Sequence, residues 1–285
     1  MGENGPSTMP HASGASRPEY GGLCRFHLRL FPLVFQEDDI WYMFYVGSRT
    51  PGVVPGVPYT ALTATSRQFE SRSWIKENEK PGKSKHVCIP LREKTFYSDT
   101  ACCGFVMPNP KWKGKTDGEN FHYMMFFSGA SMEGDELVRT LGVARTNDLC
   151  ATVDYDKTEG NFWVVDQNPI VPPTHDIENS SVFFEEETGT YYLFTNHIDP
   201  SNSHTDAIWV YWTKDCDNWP EENRAVVLDV SNTIGVKGAI GMPSVLRIDS
   251  NTLLMTYDGC VGCDTSHLHR DICFAKIQLP LQIDS

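Results

Sequence analysis

An aromatic, strand-like run recurs four times in this chain: Trp41–Tyr45 (WYMFY), Tyr123–Phe127 (YMMFF), Tyr191–Phe194 (YYLF) and Leu253–Tyr257 (LLMTY). Each run follows a turn rich in Asp, Glu, Asn or Gly. A second apolar strand precedes each turn, at Leu33–Phe35, Phe105–Met107, Ser181–Phe184 and Ser244–Ile248. A third strand follows each run, at Tyr59–Thr65, Thr140–Arg145, Ala207–Thr213 and Asp271–Ile277. Trp74, Trp163 and Trp219 then mark a fourth strand in three of the units. Repeats spaced roughly 60 to 80 residues apart point to propeller blades rather than one irregular domain. Each unit reads as a four-stranded antiparallel meander, which is the form of a blade. The expected fold is all-β: a propeller, five-bladed if Leu23–Leu30 and the C-terminal segment assemble the last blade.

Composition narrows the partners. The chain has 285 residues, long enough for a large buried core in one all-β domain. Its net charge of −13 disfavours nucleic acid and anionic membranes, which need basic surface. No stretch approaches the ~18 apolar residues of a membrane-spanning helix. Residues 1–19 are rich in Gly, Ser and Pro and read as a disordered tail, with a single propeller domain over 20–285. That tail lacks the basic and apolar regions of a secretory signal, so a cytoplasmic location is expected. The nine cysteines are odd in number and scattered, which fits reduced thiols better than a disulfide framework. The sequon Asn179-Ser180-Ser181 falls in a core strand, where a glycan has no room.

A meander sorts polar residues by end. The start of the inner strand and the end of the second strand share one face of the disc. On that face fall Asp99, His175, Asp176, Glu178, His197, Asp258, His267, His269 and Arg270. The turns at Glu37-Asp38-Asp39 and Glu185-Glu186-Glu187 fall on the other face and read as solvated hairpins.

The phrases ENSSVFFEEETGTYYLF, GMPSVLRIDSNTLLMTYDG and SDTACCGFVMPNP…HYMMFFSG resemble blade cores of the five-bladed β-propeller glycoside hydrolases, families 32, 43, 62, 68 and 117 and their relatives. The resemblance spans most of residues 30–281. It implies action on the glycosidic bond of an oligo- or polysaccharide by three carboxylates from the first three blades. Glu178, in Asp-Ile-Glu-Asn-Ser, matches the general acid. Such an acid is protonated near neutral pH, a state that burial and neighbouring carboxylates such as Asp176 favour. Asp99 is the counterpart of the second-blade Asp; its alternative is a turn carboxylate satisfied by local amides. The first blade departs from the pattern. Its inner strand reads Leu30-Phe31-Pro32-Leu33-Val34-Phe35, with Phe31 where the base belongs. Asp258 or Glu19 then supplies the base, or the chain is a catalytically impaired carbohydrate-binding propeller.

Around these carboxylates, His175, Asp176 and His197 join the substrate-binding set. His269 and Arg270 are placed to hydrogen-bond a substrate hydroxyl or carboxylate. Trp41 and Tyr257 are rim aromatics able to stack on a sugar face. Cys260-x-x-Cys263 with His267 and His269 has the look of a zinc half-site, but no second Cys-x-x-Cys completes it. The expectation is therefore a carbohydrate ligand, with no metal and no cofactor.

Overall fold

A computed structural model describes residues 27–48, 59–82, 85–114, 120–157, 162–173, 177–202, 204–260 and 270–281. The first sheet holds β1 (His27–Glu37), β2 (Ile40–Ser48), β3 (Tyr59–Ser66) and β4 (Ile75–Lys76) in meander order. A short ladder joins β5 (His86–Val87) to β9 (Val153–Asp154). The second meander is β6 (Thr100–Pro108), β7 (Tyr123–Glu133), β8 (Glu136–Thr146) and β10 (Val164–Val165). A short parallel contact, Tyr59 opposite Thr100, ties it to β3. The third sheet is β11 (Ile177–Glu185), β12 (Thr190–Asp199), β13 (His204–Thr213) and β14 (Arg224–Asp229). The fourth has three strands: β15 (Ile240–Asp249), β16 (Thr252–Gly259) and β17 (Asp271–Gln278). The one helical element among the described residues is a 3-10 turn at Glu77–Glu79. No described helix is long and apolar enough to cross a membrane.

The aromatic runs are the second strands of these sheets, and their lack of strict alternation has a cause. The middle sheets are buried on both faces, so both parities along a strand are apolar. Phe127 and Met125 pack with Phe44 and Trp163 toward the first sheet. Met124 and Phe126 pack with Leu193 and Tyr211 toward the third. Tyr192 and Phe194 then meet Leu253 and Met255 of the fourth. The four sheets thus stack in chain order. The fourth is one-sided: along β16, Leu253, Met255 and Tyr257 are buried while Leu254 and Thr256 are not. Its outer face exposes Leu246, Ile248, Ile272 and Phe274.

The four meanders agree with the strands expected from sequence. The segment proposed to start a fifth blade does not serve there: residues 27–30 belong to β1, where His27 pairs with Ser48. The two acidic hairpin turns are not wholly solvated either. Glu37 accepts a hydrogen bond from the Tyr123 hydroxyl, and Glu185 is buried beside Thr188. Residues 1–19 lie outside the described residues.

Candidate active site

Each of the four inner strands breaks register with its neighbour. The shifts lie between Arg29 and Leu33 in β1, Cys103 and Phe105 in β6, Glu178 and Ser180 in β11, and Gly241 and Ser244 in β15. A bulge of this kind leaves one residue unpaired and re-aims its neighbours. The bulged residues include Gly104, Asn179 and Met242. Asn179 (φ 59°) and Met242 (φ 54°) are left-handed. Asn tolerates that region, whereas Met pays a strain of about 1–2 kcal/mol there. At Gly104 a methyl group would overlap Ser180 Oγ, so glycine is what lets β6 approach β11.

The residues just before the bulges are Arg29, Cys103, Glu178 and Gly241. Glu178 is the one carboxylate among them. Its Oε2 lies 3.5 Å from Arg139 Nε of β8, and both side chains are about a quarter exposed. Burial pushes the thiol of Cys102 on β6 well above its ordinary range, and the charge of Glu178 adds to that rise. Glu178 therefore faces the seam between the second and third sheets, beside the innermost strand of each. Below it, Asn179 is held on three sides. Its amide donates to Ser128 Oγ at 2.8 Å, and its Nδ2 lies 3.1 Å from Asn196 Oδ1 and 2.9 Å from Met242 Sδ. Asn179 Nδ2 is thus engaged inside the protein, in line with a sequon that takes no glycan.

Asp258 lies at the matching height of the fourth sheet, opposite Gly241 as Asn196 is opposite Glu178. It accepts a 2.9 Å bond from Arg270 Nη1. The Arg270 side chain is only 2 % exposed, and its Nε and Nη2 have no partner among the described residues. Those two nitrogens are the side-on fork that suits a carboxylate or a pair of hydroxyls. His197 sits one step outward, opposite Ile177. Its Nδ1 is 2.7 Å from Asp206, and its ring stacks on Trp209 at 4.4 Å and 3°. A carboxylate at Nδ1 and an indole on one face fix the imidazole orientation.

Other expected site residues fall elsewhere. Asp99 precedes Cys103 by four residues, roughly 13 Å up the strand at 3.3 Å per residue. There it accepts from Ser98 Oγ at 2.7 Å and the Met132 amide at 3.1 Å. Trp41 sits at the hairpin end of β2, opposite Gln36 and packed on Phe69 at 4.9 Å. That is about 17 Å down the strand from Val46, the partner of Arg29. It is not a rim residue on the Glu178 side. Tyr257 is buried in the core between the third and fourth sheets. His175, Asp176, His269, His267, Cys263 and Glu19 lie outside the described residues, as does the side chain of Phe31; Cys260 is buried, and the seven described cysteines are all free thiols. Sequence reasoning did not find Arg139, Asn196 or the repeated bulge. The signals for the bulge were Pro32, Gly104 and Pro243, each a residue that strand interiors avoid.

No protein-family model matches the chain, and no curated protein does. Solved structures do. An endo-1,4-beta-xylanase from Bacteroides thetaiotaomicron superposes with a TM-score of 0.55 at 15% identity, over 88% of this chain and 69% of that one. An alpha-L-arabinofuranosidase from Lactobacillus brevis gives 0.55 at 13% identity, over 86% and 71%. A xylan beta-1,4-xylosidase from Bacillus halodurans gives 0.51 at 11% identity, over 86% and 40%. The chain has the fold of the β-propeller glycoside hydrolases. The strands β1, β6, β11 and β15 are the first strands of the four sheets, and Glu178 stands on that of the third.

Proposed function

We propose that the protein is a glycoside hydrolase-like propeller, acting on a glycosidic bond of an oligo- or polysaccharide with Glu178 as general acid. The observation that carries this reading is the position of Glu178: a part-exposed carboxylate on an inner strand, directly before a register break, on a fold shared with glycan-cleaving enzymes. In the reaction Glu178 protonates the leaving oxygen as the bond to the anomeric carbon breaks. Arg270, anchored by Asp258, would meet substrate hydroxyls through Nε and Nη2, which have no partner among the described residues. His197 is held ready by Asp206 and Trp209 for the same purpose. The proposed site lies in the cytoplasm, on a propeller that is five-bladed in plan. Its fifth position would lie between the fourth sheet and the first, against the apolar outer face of β15–β17.

A second reading, a carbohydrate-binding propeller with impaired catalysis, is favoured by one specific observation. Between His27 and Gln36 the inner strand β1 carries no carboxylate, and the Glu37 that ends it is engaged by Tyr123. Of the remaining candidates, Asp99 is committed to local bonds and Asp258 to Arg270. Without a base, turnover on simple pentosides, hexosides and fructosides is weak.

One pair of substrates tests both readings. Glu178→Gln keeps the shape and removes the proton. On natural glycosides, with poor leaving groups, kcat should fall by about 100-fold or more. Activated aryl glycosides need less protonation and should lose far less. Equal losses on the two types would exclude the acid role. If the wild type turns over neither substrate yet binds sugar, the second reading holds. Asp258→Asn then asks whether that carboxylate is the base: robust turnover untouched by the change means it is not.

A further inference from the structure

The opposite end of the disc carries a feature that the axial site does not use. A groove of about 890 Å³ runs along the seam between the second and third sheets, at the end where their hairpins lie. Two bridges span that seam. Lys111 meets Asp215 at 2.9 Å, and Arg145 of β8 is gripped by Asp166 and by Asp217 of the turn after β13. Among the described residues most of the groove's charge is balanced by pairs, with Lys113 a further cation on its wall. A phosphate or polycarboxylate ligand calls for open guanidinium or ammonium groups, and here the guanidinium is already occupied on both sides.

What the groove does offer is amide and carbon surface. Asn120, Gln167 and Asn168 line it, and their side chains make no hydrogen bond to another of the described residues. Each amide brings two donors and an acceptor, the set that pairs with vicinal hydroxyls. Val165, Pro169 and Ile170 give it an apolar floor. In the chain between the lining residues Lys111 and Lys113, Trp112 stacks one face on His122 at 3.9 Å and remains 37% exposed. A ring that presents C–H on its faces and hydroxyls on its edge matches all three elements. The volume is that of an ordinary small-ligand site.

We propose that this seam is a second binding site, for a neutral oligosaccharide, separate from the site at Glu178. It would hold a glycan on the face of the disc away from the axial carboxylate, without cutting it.

Calorimetric titration with cellohexaose, xylohexaose and arabinohexaose tests this, with tri-galacturonate as the charged comparison. The proteins are the wild type, Glu178→Gln, the double change Gln167→Ala with Asn168→Ala, and Trp112→Ala. All the groove changes are at the surface, and circular dichroism confirms their fold. At least one neutral hexaose should bind the wild type and Glu178→Gln alike. The double change and Trp112→Ala should each raise Kd about tenfold or more. The proposal is overturned if no neutral hexaose binds, if binding vanishes in Glu178→Gln alone, or if the groove changes leave Kd unmoved. Preference for tri-galacturonate, weakened by salt, would overturn the ligand class. Loss of hydrolysis with groove binding intact would bear on the axial reading and leave this one standing.

Discussion

At the residue scale, Asn179 shows how one side chain reconciles strain with placement. It is the bulged residue that sets Glu178 apart from the regular ladder, and it sits at φ 59°. Its short amide side chain makes that conformation tolerable and spends its donor on Asn196 and Met242. A β-branched residue has neither advantage. Asn179→Val should lower the unfolding free energy by about 1–3 kcal/mol in urea, whereas Asn179→Gly should lose less, since glycine accepts the backbone without strain. Equal losses would mean that the side-chain contacts, not the backbone, decide this position. Arg270 makes the complementary point. A guanidinium buried to 2 % exposure with one of its edges empty is costly unless something completes it. That cost is intelligible at a ligand site, and no described residue offsets it.

At the scale of elements, the strands were legible and the bulges were not. Runs such as YMMFF announce a strand buried on both faces because each residue demands apolar surroundings of its own. A register shift is a property of two strands together, and a single Gly104 or Pro243 carries little of it. Asp99 illustrates this: it directly precedes β6, yet lies four residues before Cys103, the last residue ahead of the bulge. Trp41 was misplaced for the opposite reason, because an aromatic at a hairpin end and one at a rim look alike in sequence. Turn chemistry was clearer. Strands β12, β14 and β15 each end in an Asp that bonds a residue two positions on: Asp199 with Ser201, Asp229 with Ser231, Asp249 with Asn251. These bonds hold the three carboxyls below their ordinary value of 3.8, as the Lys111 ammonium does for Asp215. A carboxyl depressed in the folded state contributes stability above its unfolded value and loses it as pH falls through the folded one. Urea midpoints should therefore hold from pH 7 to 5 and drop below about pH 4. Asp229→Asn should shallow that drop; a steeper drop would contradict the assignment.

At the scale of the whole molecule, the fourth sheet differs from the others. The second and third sheets are covered on both faces, so their central strands have apolar residues of both parities. Among the described residues the fourth is covered on one face only, by the third, and β16 alternates accordingly. Two substitutions on this one sheet separate its faces. Leu253 is fully buried against the third sheet, and Leu253→Ala should cost about 2–5 kcal/mol through lost transfer and the cavity left behind. Phe274, on β17, is 65% exposed on the outer face. Phe274→Ser there should change stability by no more than about 0.5 kcal/mol, because it uncovers nothing. Thermal unfolding followed by circular dichroism reads both. A loss above about 2 kcal/mol for Phe274→Ser would mean that this face is covered in solution. It would place a further sheet against β15–β17, at the position where the five-bladed plan puts its last blade. A small loss leaves that position open to water, with the candidate site built from the inner strands β6 and β11 and from Asp258 and Arg270 of the fourth sheet.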